Sequence, residues 1–266
     1  MASTTTFQRV TTQNEIAGAD ALANELPHGW CDIVGRGRMG GALASALENA
    51  GVPVRGPLGR DEDSSNAGLV LLCVADREIA AAAAAIPPGP IVGHVSASAS
   101  LSLLEPHERF VLHPLLSVVG GGAKFAGASC AVDGSTPRAL AVAEELARRL
   151  GMRSFVVPAE KRALYHAAAS VASNYLITIE SVAERLAKEV GLDRAALVPL
   201  VRASFEQWAS LGASAALTGP IARGDEGTVE RQRAAVAEAA PDLLTLWDAL
   251  ADETRKLAAS SNEMKS

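Results

Sequence analysis

Cysteine is scarce: Cys31, Cys73 and Cys130 are the only three in 266 residues. An odd number at wide spacings gives neither a disulfide framework nor a zinc pattern, so no metal site is expected. Each lies in an apolar run that reads as a strand, which makes all three buried, reduced thiols that pack like small hydrophobes. Long hydrophobic runs are missing as well. No segment approaches the ~20 apolar residues needed to cross a bilayer. The opening MASTTTFQRVTTQNE lacks the apolar stretch of a signal peptide. The expectation is a cytoplasmic protein with no membrane partner. Positive charge is not in excess either. A formal net charge of −6 argues against a nucleic-acid partner, while leaving room for a local basic pocket around a small anion. What is present, 48% hydrophobic and 20% charged residues, is ordinary for a globular chain. At this length such a chain can bury about 70% of its unfolded surface without staples.

No internal repeat is visible. Residues 1–27 are polar and read as a flexible tail, with a short helix near Ala17–Leu26. From residue 28 short apolar runs alternate with Ala/Leu-rich stretches. Strands are expected at Cys31–Val34, Val52–Arg55, Leu69–Val74, Ile91–Val95, Phe110–Leu112, Ser129–Val132 and Ser154–Val157. Helices are expected at Gly40–Ala50, Arg77–Ile86 and Pro137–Leu150. That alternation implies a mostly parallel sheet covered on both faces. After Val157 the strands stop. Lys161–Val190 carries apolar residues at sustained spacings of three and four, the pattern of one long amphipathic helix that Gly191 can end. Further helices are expected at Ala195–Leu211, Thr228–Ala239 and Pro241–Ala259. The reading is an α/β nucleotide-binding domain over 28–158 followed by an all-α domain over 159–266.

The strongest local signal is Gly35-Arg36-Gly37-Arg38-Met39-Gly40, a G-x-G-x-x-G that follows a strand and opens a helix. The first glycine permits the tight turn, the second lets backbone approach a pyrophosphate, and the third lets helix pack on strand. An NAD site carries an acid about 20 residues on. The stretch Gly51–Arg60 has none and offers Arg55 and Arg60 instead. Guanidinium forks match a 2′-phosphate, so NADP is expected ahead of NAD, with a deazaflavin behind both.

Ligands of open α/β sheets sit beyond the carboxyl ends of the strands. Val74-Ala75-Asp76 follows the third strand and is expected to run along the cofactor. His94-Val95-Ser96 ends the fourth, and His113-Pro114 the fifth. Histidine titrates near neutrality and is the natural proton carrier there. On the long helix His166, Ser170 and Asn174 recur every four residues on one face. Arg223, in the loop Gly219–Asp225, is a candidate clamp for a substrate carboxylate.

These residues together carry a resemblance. The glycine turn, His94-Val95-Ser96, Leu112-His113-Pro114-Leu115, Leu164-Tyr165-His166-Ala167-Ala168-Ala169, Ala172-Ser173-Asn174-Tyr175 and Leu217–Asp225 resemble Rossmann-like proteins that carry a C-terminal domain of unknown function. Those proteins are of NADP oxidoreductase type, related to pyrroline-5-carboxylate reductase and the 6-phosphogluconate dehydrogenase-like group. The resemblance covers roughly residues 30–258. It implies a Rossmann domain, a helical domain that forms a homodimer, and hydride transfer from a nicotinamide to a small C=O or C=N substrate. A ketopantoate-like 2-oxo acid and a cyclic imine acid stay open as substrates.

Two positions depart from the pattern. Ala97 stands where a glycine usually follows His-x-Ser. Ser170 stands where the wider group places a lysine four residues before Asn174. The proton role therefore shifts to His113 or His166, with His94, Ser96, Ser170, Asn174 and Arg223 as substrate contacts. The competing reading is an NADP-binding sensor or interaction module without turnover.

Overall fold

The computed structural model describes residues 30–59, 62, 64, 66–120 and 122–263. The expected N-terminal tail and its short helix, and Arg60, lie outside these residues. Seven strands form one sheet: β1 (Cys31–Val34), β2 (Val54–Leu58), β3 (Leu69–Leu72), β4 (Ile91–His94), β5 (Arg109–Leu115), β6 (Ser129–Gly134) and β7 (Arg153–Val156). Their order is β2-β1-β3-β4-β5-β6-β7. The first five are parallel, β6 runs antiparallel to β5, and β7 follows β6 in parallel. Strand order reverses between β1 and β3, the switch point at which doubly wound sheets bind ligands.

The strands are buried on both sides, as their near-continuous apolar runs require. Ile33, Leu71, Phe110 and Leu112 pack on one face against α1 (Arg38–Asn49) and α3 (Pro137–Arg149). Val34, Val70, Leu72 and Val92 pack on the other against α2 (Ile79–Ala84) and Leu104. The helices form for local reasons. In α1, Ala42, Leu43 and Leu47 recur at helical spacing and are buried. In α3, Thr136 caps the N-terminus by accepting from the Ala139 amide at 3.1 Å, and Pro137 occupies the first turn. Gly93 is dictated by packing, since a Cβ there would lie 2.2 Å from Cζ of the fully buried Phe110. Gly93 and Phe110 thus share one face of the sheet, and side-chain alternation puts His94, Val111 and His113 together on the other.

The expected long helix is α4 (Arg162–Ser170), a π-helical turn (Val171–Tyr175) and α5 (Leu176–Glu189). The chain divides into two compact units between Val171 and Ala172, inside that π turn. The sequence reading put the seam at 158/159. The difference has a physical cause: α4 is tied to the sheet unit by Arg162 and Tyr165, as described below.

In the second unit α5 is followed by α6 (Arg194–Leu211), α7 (Ala213–Ala216), α8 (Glu226–Ala239) and α9 (Leu244–Glu263). Gly191, with φ of +77°, ends α5 as expected. Arg185 holds Asp242 through two hydrogen bonds of 2.6 Å, and Arg233 holds Asp248 through two of 2.8 Å. The buried apolar residues of this unit are Ala187, Val229, Val236, Ala240 and Ala251, mostly small. Large apolar side chains of α6 are outside: Leu200, Phe205, Trp208 and Leu211 are 54–66% exposed.

Candidate active site

The glycine turn sits at the carboxyl end of β1, and three backbone contacts lace it to its neighbours. Cys73 donates to Val34 O at 2.7 Å, Gly35 to Leu58 O at 2.9 Å, and Gly41 to Gly37 O at 3.1 Å. Gly35 has φ of +122°, and a Cβ on it would lie 2.3 Å from Cys73 O. A Cβ on Gly40 would lie 1.9 Å from Gly35 O. Gly37 is different: it is exposed and a Cβ there would meet nothing within 4 Å. It is also the N-cap of α1, and no side chain caps the helix. The first amides of α1 are thus uncapped beside open space, with exposed Arg38 and half-buried Met39 in the first turn and no acid there. Free donors at the positive end of a helix dipole are what a pyrophosphate needs. The turn fits a dinucleotide.

Two arginines near this turn are paired with acids. Arg55 grips the fully buried Asp32 side by side, Nε to Oδ1 at 2.8 Å and Nη2 to Oδ2 at 2.5 Å, and lies 5.4 Å from the Trp30 ring centre. Arg36 donates through Nη2 to Oε1 of Glu62, which also accepts from the Gly59 amide at 2.8 Å. Glu62 lies two positions beyond Arg60, past the stretch in which the acid of an NAD site is expected, so spacing alone does not single it out.

Beyond β3 and β4 a small polar network closes on itself. Asp76 opens the turn that leads to α2. Ser96 donates to Asp76 Oδ2 at 2.7 Å, and its hydroxyl accepts from the Ser98 and Ala99 amides at 3.2 and 3.0 Å. Ser98 donates to the same carboxylate oxygen at 3.2 Å. Ser96 is buried with its hydroxyl fully used, so it shapes the loop, whereas Asp76 and Ala75 are exposed and Val74 half-buried. His94 is fully buried and accepts the Ser96 amide at Nδ1, 3.2 Å. Burial, with Arg162 nearby, lowers its pKa to about 4. A neutral, inward histidine of this kind holds the β4 end in place.

His113 stands two residues past the level at which β4 ends, on the same face as His94 and Val111. Its Nδ1 and the Tyr165 hydroxyl are 2.7 Å apart. Tyr165 meets the His113 and Phe155 rings edge-on at 5.6 and 5.7 Å. Burial lowers the His113 pKa to about 4, the neighbouring His166 adds to the shift, and Asp76 opposes it. Burial raises Tyr165 to about 12. Buried Arg162 pairs with Asp133 and donates to Ala99 O at 3.1 Å. His113, Tyr165, Arg162, Asp133, Val111 and Ala131 line a small cleft.

The sheet unit therefore gathers His94, Ser96, Asp76 and His113, with exposed His166 near His113. Ser170 is half-buried at the end of α4. Exposed Asn174 and Arg223 belong to the helical unit, in the π turn and in a short turn before α8. Arg162 and Asp133 were missed. Their isolated charges carry no motif: Asp133 lies on β6 and Arg162 opens α4, twenty-nine positions on, and only the folded chain brings them together. Among the described residues no cluster of potential metal ligands occurs, and no helix is long and apolar enough to cross a membrane.

Comparison with known proteins agrees with this architecture. Residues 128–254 match the family described as Domain of unknown function (DUF2520). A comparison with curated sequences gives no match. Among solved structures, the Bacteroides fragilis protein BF3122, provisionally described as an NADP oxidoreductase, is similar at a TM-score of 0.73 and 18% identity, over 85% of this chain and 97% of that one. Protein TM1727 of Thermotoga maritima is similar at 0.70 and 22%, over 87% and 99%. A reductive aminase from Aspergillus terreus, solved with NADPH and ethyl-5-oxohexanoate, is similar at 0.61 and 18%, over 90% and 99%. The shared architecture is a Rossmann-like sheet with a C-terminal helical region.

Proposed function

We propose that this protein is an NADPH-dependent reductase acting on a C=O or C=N group of a small, carboxylate-bearing substrate. The observation that carries the reading is the uncapped glycine turn at the sheet's switch point, open at Gly37 and closed at Gly35 and Gly40. Structural relatives that bind or are described by NADP support it. Gly35, Gly37 and the amides of Arg38, Met39 and Gly40 would hold the pyrophosphate; Arg36 and Arg60 are the proposed partners of the 2′-phosphate; Val74, Ala75 and Asp76 would flank the cofactor. When bound, the reduced nicotinamide supplies hydride.

The chain supplies the proton. With a pKa near 4, His113 carries no charge at neutral pH, so it is not a cationic acid there. In the tautomer with Nδ1–H, it donates to the Tyr165 oxygen and leaves the tyrosine's own proton free for transfer. A developing alkoxide or amide nitrogen is a far stronger base than a phenolate, so transfer runs downhill even from a hydroxyl raised to about 12. His166 stands beside the pair as the second proposed catalytic histidine. Ser170, Asn174 and Arg223 are the proposed substrate contacts, Arg223 for the carboxylate. Ser170 in place of a lysine favours the second reading, an NADP-binding sensor without turnover.

The exposed apolar side chains of α6, with so few large residues buried in the helical unit, support a homodimer built on these helices. The deciding experiment titrates purified protein with NADPH and NADH, then supplies 2-oxo acids and cyclic imino acids. NADPH is expected to bind more tightly and to be oxidised by one substrate class. Binding without oxidation favours the sensor; no binding of either dinucleotide rejects both readings.

A further inference from the structure

Arg36 and Glu62 form a contact that stability does not explain. Their side chains are 67% and 43% exposed, and exposed pairs of this kind contribute roughly 0–1 kcal/mol. Yet the pair is well placed. Arg36 is the residue between the first two glycines of the turn, and Glu62 lies just past β2. The Gly59 amide fixes the carboxylate at 2.8 Å, on the oxygen that Arg36 contacts. A Cβ on Gly59 would lie 3.0 Å from that oxygen and 3.4 Å from Arg36 Cζ, so the pair rests directly on the chain as it leaves the sheet. The Gly35 to Leu58 hydrogen bond joins the two strand ends beneath it.

In folds of this kind, an acid about 20 residues beyond the glycine turn accepts from the ribose 2′-hydroxyl of NAD, and an arginine nearby accommodates the 2′-phosphate of NADP. This chain has both groups, and they occupy each other. We infer that Glu62 is a specificity-determining residue that competes with the 2′-phosphate of NADPH for the Arg36 guanidinium. The inference rests on the dinucleotide-binding reading above. A bound 2′-phosphate must displace the carboxylate, or share the guanidinium with it at the cost of repulsion between two anions. A bound NADH leaves the pair intact and finds in Glu62 an acceptor for its 2′-hydroxyl. Arg36 attracts the phosphate and Glu62 limits that attraction, so the preference for NADPH is smaller than the arginines alone would give.

The test is a binding measurement, with nicotinamide fluorescence reporting Kd for NADPH and NADH on the full chain. Glu62→Gln keeps the side-chain length and removes the charge. It is expected to tighten NADPH about tenfold, the scale of one charge-assisted hydrogen bond, and to weaken NADH. Arg36→Ala is expected to weaken NADPH by about the same factor and to leave NADH nearly unchanged. The double variant separates this from a general change in surface charge: without Arg36, Glu62→Gln should lose most of its effect on NADPH, because coupled residues are non-additive. Dinucleotide binding with an unchanged NADPH-to-NADH ratio in Glu62→Gln, or full additivity in the double variant, overturns the role of Glu62 alone. Failure of the unmodified protein to bind either dinucleotide overturns the inference together with the function beneath it.

Discussion

Arg55, in the edge strand β2, clasps the carboxylate of Asp32 in β1 with two parallel hydrogen bonds while Asp32 is wholly shielded from solvent. The arginine that looked available for a phosphate is instead the counter-ion of a buried acid. Breaking such a pair leaves one charge stranded, a loss of roughly 3–5 kcal/mol when both partners are buried. Arg55 is partly exposed, so Arg55→Leu is expected to destabilise by about 2–3 kcal/mol, a drop of roughly 5–10 °C in Tm. Calorimetry checks this. The NADPH-to-NADH ratio should stay where it was, and a changed ratio with an unchanged Tm would return Arg55 to the cofactor.

The 2.7 Å contact between His113 and Tyr165 predicts an asymmetric pair of variants. Tyr165→Phe removes the transferable proton but keeps the ring packed against Phe155. The expected loss in kcat is about 10²-fold or more, the scale of a general acid. His113→Gln retains hydrogen-bonding groups and should lose less. NADPH affinity should barely move in either. Full turnover by Tyr165→Phe would remove the tyrosine from the chemistry.

His94 and His113 both have pKa values near 4 in the folded chain, against an unperturbed value near 6.5. Between these limits the unfolded chain binds more protons, so stability rises with pH through the window and is lost as pH falls from about 6.5 towards 4. Each histidine contributes up to about 3 kcal/mol to that loss. The difference in Tm between the unmodified protein and His113→Gln, followed from pH 7 to 4.5, isolates one of them. The variant's profile should be flatter; parallel profiles would show that His113 is not held neutral by the fold.

The proposed homodimer is tested at Phe205 and Trp208, which lie 5.7 Å apart on α6 and more than half exposed. An obligate interface buries about 2,000 Å² or more, and aromatic anchors dominate such surfaces. Sedimentation of the unmodified protein at micromolar concentration should give a dimer, and Trp208→Glu should shift it toward monomer. A monomeric unmodified protein would contradict the assembly.

The sheet was legible because its strands are short apolar runs between helices of unmistakable period. β1 matches its expected bounds to the residue; the other six strands differ by one to three residues at their ends, and in β2 and β5 Pro57 and Pro114 blur the pattern. The glycine turn was legible because each glycine has its own steric reason. The long helix was seen as a single element, but not its π turn, because apolar spacing does not register one widened turn. His113 was singled out from its strand end, yet its role depends on Tyr165, fifty-two positions away and joined to it only by α4 crossing the sheet. Ser96 and His94 read as ligand contacts because polar residues at strand ends often are. Here the Ser96 hydroxyl is taken up by Asp76 and its own loop, while His94 is buried with Nδ1 on the Ser96 amide and Nε2 without a partner. Arg162 and Asp133 illustrate the general limit: a partly buried ion pair between distant elements has no signature in sequence.

Of the three glycines in the turn, two are compelled by the chain itself. An added methyl group at Gly35 or Gly40 would collide with backbone, so those positions answer to folding. Gly37 does not. Its backbone is extended in a way any residue adopts, and a methyl group would find only solvent. A glycine there also leaves the unfolded chain more freedom to lose, roughly 0.5–1 kcal/mol relative to alanine. Alanine at this position should therefore make the isolated protein no less stable, and slightly more so, while its methyl group stands in the approach to the uncapped amides of α1. Tolerance to substitution and retention of ligand part company at this one residue, which makes Gly37 the place where the fold's demands end and those of a bound molecule begin.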